Sequence, residues 1–281
     1  MIDQHFKTQP VKAFYRLLGK NFLFILGVSI ALSLWLFFIL KFTISMVLGS
    51  QGLLEMFEIF STQLTNQSDI MKQSEIMRNF LLKHPGLLPF FMLSIVLGLL
   101  SSAYVFAITQ KVVKFQVSGI SASIIETIRP DINYLKILLF LTFVSVLFAF
   151  SSTFGFIGFA INPLFGFLFL VFLFMLLIRV ALFIPGVVIG ELDFMEAIYY
   201  SRETISSGKS FKIMVFGIVV FFMLSILMSA LIYFPSLLFK SDSAKIYLNF
   251  LVTFIQIGLI SVGMSALFLR YGNFEEVKMA E

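Results

Sequence analysis

This sequence has no cysteine and only two histidines, His5 and His84, so disulfides, redox chemistry and a histidine or thiolate metal cluster are all excluded. Charge is scarce as well. Only 12% of the 281 residues are Asp, Glu, Lys or Arg, about half the usual share in soluble domains. Also missing are an acidic side chain inside any long apolar run, a zinc signature such as H-E-x-x-H, and a base beside any of the buried-looking serines. An intramembrane enzyme needs a positioned nucleophile with a base, or a metal. The expectation is therefore a protein without catalytic activity and without a cofactor.

What the chain does have is apolar length. Hydrophobic residues make up 59% of it, 38 of them phenylalanine, and the mean hydropathy is +1.02. Crossing about 30 Å of hydrocarbon takes roughly 20 helical residues. Six segments qualify: Asn21–Leu40, Gly86–Thr109, Ile137–Ile157, Leu164–Ile189, Ile213–Tyr233 and Ile246–Leu269. The run from Ile137 to Ile178 carries no charge and is too long for one crossing, so a turn is expected at "GFAINP", where Gly158, Asn162 and Pro163 break the helix. The first span follows a polar segment and is followed by no small-residue cleavage site, which reads as a retained helix. The fold class expected is an all-α integral membrane protein forming one domain over residues 1–281.

Lysine and arginine fix the expected orientation. With both termini on the cytoplasmic side of a bacterial inner membrane, the inner segments hold Lys7, Lys12, Arg16, Lys20, Lys111, Lys114, Arg129, Lys136, Arg202, Lys209, Lys212, Arg270 and Lys278. The outer segments hold Lys41, Lys72, Arg78, Lys83, Lys240 and Lys245. This bias and the attraction of anionic headgroups account for the net charge of +5, with no need of a nucleic-acid partner.

The segments entering alternate spans share a pattern. "VKAFYRLLGKNFLFIL" (11–26), "SASIIETIRPDINYLKILLF" (121–140) and "FMEAIYYSRETISSGKSFKIMVF" (194–216) each offer a short amphipathic stretch, a breaker (Gly19, Pro130, Gly208), a lysine (Lys20, Lys136, Lys212) and then a span. The reading is three repeats, about 8–109, 118–189 and 193–272, each an interfacial helix followed by a transmembrane hairpin. Ile120, Ile124, Ile125 and Ile128 share one face of the second stretch, and Phe194, Ala197, Ile198 and Ile205 one face of the third. Asp193 with Glu196 has the spacing of a capping box. The outer loop 49–85 carries two further amphipathic pieces, 53–60 and 74–82, around the polar turn "TNQSD"; they rest on the outer surface or form a docking lid.

Residues 182–213, "LFIPGVVIGELDFMEAIYYSRETISSGKSFKI", resemble the signature of a bacterial membrane-domain superfamily. It includes the YciC-type inner-membrane proteins and the membrane domain of glycerophosphoryl diester phosphodiesterases. The matching positions are Pro185, Glu191, Glu196, Ala197, Ser201, Gly208 and Lys212. The resemblance implies a six-span fold. Phosphodiesterase members add a soluble catalytic barrel that has no counterpart here, so it implies no such activity.

The remaining polar residues divide by spacing. Ser94, Gly98 and Ser102, Ser225 and Ser229, and Ser261 and Ser265 stand four apart, the pattern that lets helices approach closely in lipid. Arg179 is the one charge inside an apolar run, about 22 Å below Leu164 if that span is continuous. It either anchors the structure or, with Gln256 as a neighbour and Lys136 and Lys212 at the surface, contacts a lipid phosphate or an anion. The functions expected are lipid organisation or partnership with another membrane protein or a second copy; the alternative is a transporter, or a subunit of one, for a hydrophobic or anionic substrate.

Overall fold

In the computed structural model the residues described are 10–61, 75–76, 78–80, 82–120, 123–161, 163–205, 217, 223 and 242–271. Among them there is no strand. Apart from residues 217 and 223, the span expected at 213–233 lies outside the described residues, as do its Ser225 and Ser229, Gly208 and Lys212, and the turn "TNQSD".

The helices end where backbone chemistry demands it. Helix α1 (Pro10–Ser61) is broken at Gly49, whose φ of 64° places it in the left-handed region open to glycine. Helix α2 (Leu87–Ser118) closes on Gly119 at φ 68°, with the Ile120 N–H reaching back to the Phe115 carbonyl at 3.0 Å. Helix α3 (Ile124–Ile128) starts at a complete Ser123–Glu126 capping box and stops before Pro130. Helix α4 (Ile132–Ile161) starts where the Asp131 carboxylate accepts the Asn133 N–H at 3.0 Å. The charge-free run divides between Ile161 and Pro163, which opens α5 (Pro163–Arg179). Short α6 (Phe183–Val188), α7 (Phe194–Ile205) and α8 (Asp242–Tyr271) follow.

Four stretches are long and apolar enough to cross a membrane, Phe14–Gly49, Leu87–Ser118, Ile124–Ser151 and Tyr247–Leu269, and they mark the chain as a membrane protein. Its centre is α1, α2 and α8. Leu17, Val113, Val117, Ala266 and Leu269 pack together at one end, Leu36, Val105 and Phe254 in the middle, and Leu48, Phe80, Leu87 and Phe90 at the other end. The start of α1 and the end of α8 therefore share one face, here called the basic face. Helices α4 and α5 pack as a hairpin beside this centre, with Phe143, Phe150, Phe154, Phe167 and Phe172 turned outward as a lipid-facing band.

Three sequence expectations change. Helix α1 passes through Gly19 without a break, so residues 11–19 are not a separate interfacial helix. Glycine inside a helix costs only about 1 kcal/mol and does not by itself end one. Leu164–Ile189 is not one span either, because α5 stops at Arg179 and the chain turns before α6. The expected apolar face of α7 meets protein and not lipid: Ala197 and Ile205 are fully buried against α6 and α8. Gly186 permits this approach, since a Cβ there would already touch the Ala197 Cβ at 3.5 Å.

Candidate functional site

At the basic face the lysines are occupied by acids of the connecting segments. Lys111 near the end of α2 meets Asp131 at 2.9 Å and the Arg129 carbonyl at 2.6 Å. Lys114, one turn on, pairs with Glu191 between α6 and α7. Lys136 in the first turns of α4 pairs with Asp193 at 2.8 Å. Glu191 and Asp193 are largely solvent-facing and Asp131 is partly so, so each pair contributes about 1 kcal/mol or less. What the pairs do is geometric: they tie the α3–α4 and α6–α7 connectors to α2 and α4. The capping-box spacing at Asp193 is realised in half, with the Glu196 carboxylate accepting the Asp193 N–H at 2.9 Å while the Asp193 carboxylate turns to Lys136.

Between α5 and α6 one side chain repairs the helix break. The Ser201 hydroxyl, from α7, donates to the Arg179 carbonyl at 2.8 Å and accepts the Leu182 N–H at 3.1 Å. Backbone polar groups exposed by a break have no water partner inside a membrane protein, so one serine satisfies one acceptor and one donor that would otherwise be stranded. Pro185 sits in the first turn of α6, where a missing N–H leaves no helical bond unmade.

Glu191 is held at φ 57°, the left-handed region that costs a residue with a Cβ about 1–2 kcal/mol. Its neighbour Gly190 has no room for a side chain, since a Cβ would lie 2.7 Å from the Gly186 carbonyl oxygen. The tight connector thus fixes Glu191 and aims it at Lys114. Glu191→Gly is expected to unfold later than Glu191→Ala, by about 1 kcal/mol, because both lose the ion pair and only glycine relieves the backbone. Denaturant titration in detergent measures the order, and the reverse order would show that the left-handed conformation is not retained.

The expected cluster around Arg179 resolves differently. Ile178 packs among Leu182, Ile205, Leu267 and Phe268, so Arg179 lies at the basic face, near the end of α8, and not within a span that continues to Ile189. It is the last residue of α5, where a cation complements the helix dipole. The Arg179 guanidinium and the half-buried Gln256 amide are not hydrogen-bonded to each other or to any other described residue. Among the described residues the exposed guanidiniums of Arg129, Arg179 and Arg202 have no acidic partner. Exposed apolar side chains flank two of them: Ile124, Ile125 and Ile128 before Arg129, and Tyr199 and Met195 one and two turns before Arg202.

Two buried amides escaped the sequence reading. Gln110, fully buried, donates to the Ser261 carbonyl at 2.8 Å and hydroxyl at 3.0 Å, and accepts the Ser265 hydroxyl at 2.9 Å. Asn21 donates to Gln116 at 2.7 Å and to the Leu17 carbonyl. The signal available was an amide next to an apolar run in each of two spans. Ser261 and Ser265, read as close-packing residues, also act as hydrogen-bond partners. Among the described residues no three His, Asp or Glu side chains gather as metal ligands. Compared with known proteins, the chain matches no family model, no curated protein and no solved structure.

Proposed function

We propose that this chain is a non-enzymatic six-span protein of a bacterial cytoplasmic membrane, with both termini on the basic face, that organises anionic lipid there or presents that face to a membrane partner. The observation that carries the lipid reading is the division of labour among the cations. Lysines 111, 114 and 136 are neutralised by the protein's own acids, while Arg129, Arg179 and Arg202 stand exposed with no acidic partner among the described residues, Arg129 beside Ile124 and Ile125 and Arg202 beside Met195 and Tyr199. Guanidinium forks above apolar side chains match a lipid phosphate above its acyl chains. The partial signature around Pro185, Glu191, Glu196 and Ser201 supports the membrane-domain superfamily as the place to look for relatives.

Helix ends support the sixth span. Ile205 packs against Leu267 and Phe268, whereas Tyr247 lies beside Phe37, about 30 Å away along α8. Helix α7 thus ends at one face and α8 starts at the other, and the apolar sequence 213–233 has the length that a crossing requires.

Native mass spectrometry of the full chain with phosphatidylglycerol and phosphatidylcholine tests the lipid reading. Each basic residue near an anionic surface contributes about 1 kcal/mol, roughly fivefold in affinity. The triple variant Arg129→Gln, Arg179→Gln, Arg202→Gln is expected to weaken phosphatidylglycerol retention by about two orders of magnitude on that scale. Equal retention of both lipids, or no change in the variant, would refute it. One observation favours transport of an anion instead: the α5–α6 break resembles the discontinuous helices that transporters use to hold substrate. Uptake of an organic anion by proteoliposomes, lost in Arg179→Gln with fold retained, would replace the lipid reading with that one.

A further inference from the structure

The interface of α1, α2 and α8 holds more polar atoms than its hydrogen bonds account for. Besides the Gln110 and Asn21 sets, Ser29, Ser33 and Ser101 are buried there. Serines and threonines in these helices satisfy themselves on the carbonyl four residues back, as Ser33, Thr43, Ser94 and Ser102 do at 2.6–2.8 Å. Ser29 and Ser101 do not. Their hydroxyls are buried and have no partner among the described residues, and neither has the Gln116 amide nitrogen. A stranded hydroxyl or amide costs about 1–3 kcal/mol, and three in one interface call for an occupant.

The register sets these groups at successive levels along the α1–α2 contact. Helices α1 and α2 run antiparallel, fixed by Asn21 on Gln116 at one end and Leu48 on Leu87 and Phe90 at the other. Ser29 then falls within a turn of the level of Gln110, and Ser101 within a turn of the level of Ser33. From Gln116 to Ser101 the polar line runs about 22 Å along α2. It starts at the Asn21–Gln116 pair, near the basic face, and ends against apolar packing, since from Leu36 onward the contacts are Leu40, Leu97, Leu48, Leu87 and Phe90.

We infer that this seam is a blind hydrated track: ordered water molecules lie beyond the Asn21–Gln116 pair and serve the Gln116 amide, Ser29 and Ser101. Buried water takes such positions because it supplies two to four hydrogen bonds to groups that helices cannot serve. The track thins the apolar barrier from one side only. This inference stands on the buried hydroxyls and does not depend on the lipid reading.

X-ray hydroxyl-radical footprinting of the full chain in lipid nanodiscs tests it, because radicals formed from bound water oxidise only the side chains next to that water. Leu36 and Phe254, both 3% exposed or less, border the track, while the fully buried Phe183 lies in the apolar cluster around α6. The expected result is oxidation of Leu36 and Phe254 at least about tenfold faster than Phe183, as bound water in contact requires. In the double variant Ser29→Ala, Ser101→Ala that excess should collapse, with Phe183 and thermal stability unchanged or improved. Equal rates at all three positions in the native chain would overturn the inference, and so would an excess that survives both alanine substitutions.

Discussion

Ser201→Ala is expected to destabilise the protein by about 2–4 kcal/mol, the combined cost of a stranded carbonyl and a stranded N–H. The size follows from where the hydroxyl sits. It is fully buried, and it serves two backbone groups in a chain reversal that has no helical partners for them: the Arg179 carbonyl at 2.8 Å and the Leu182 N–H at 3.1 Å. The proper control is Ser102→Ala. That hydroxyl bonds only to the Gly98 carbonyl of its own helix, which stays helically bonded without it, so the expected loss is about 0.6 kcal/mol or less, the usual worth of such a bond in a membrane bundle. Unfolding of both variants in mixed micelles measures the difference. If the two variants melt together, the break between α5 and α6 is satisfied by something other than Ser201.

The break also explains which parts of the fold were legible in the sequence. Ends set by local chemistry could be read directly: the division at Ile161–Pro163, the stop before Pro130, the start near Gly86 and the Asp193–Glu196 spacing. Each depends on residues within a turn of the end itself. The end of α5 at Arg179 depends on Ser201, 22 residues away in sequence. Apart from Arg179 itself the chain stays apolar from Leu170 through Ile184, so composition alone projects a straight span and carries Arg179 into its inner leaflet. Once the helix is seen to stop there, the same residue is an ordinary C-terminal cation.

The face of α7 was misread for a related reason. Phe194, Ala197, Ile198 and Ile205 do form one apolar face, as periodicity requires. Whether such a face meets lipid or protein depends on what stands opposite, here Gly186 and the buried residues of α6. The side that does meet the surroundings presents Met195, Tyr199 and Arg202, one and two turns apart, an interfacial combination that carries too little apolar area to register as a moment. Gln110 was missed because an amide beside Lys111 looks like the polar margin of a span, whereas the structure buries it completely between α2 and α8.

Gly258 and Gly263 lie five residues apart on α8, and alanine is expected to act in opposite directions at the two. A Cβ at Gly258 would stand 2.5 Å from the Ile25 Cγ2 of α1. Ile25 is β-branched in a helix and has one strongly preferred rotamer, so it cannot swing aside and the helices must separate. Gly258→Ala is expected to cost about 1–3 kcal/mol, the range for overpacking a filled interface. At Gly263 the nearest atom, in the Phe14 ring, is 4.0 Å from the same point. There alanine removes only the conformational cost of glycine and should stabilise by about 0.5–1 kcal/mol. Ile25→Ala supplies the decisive check. It removes the clashing methyl, so in the double variant Gly258→Ala should cost little or nothing relative to Ile25→Ala alone, giving a coupling of about 1–3 kcal/mol in a double-mutant cycle. Additive losses would mean that Gly258 is required for some reason other than contact with Ile25.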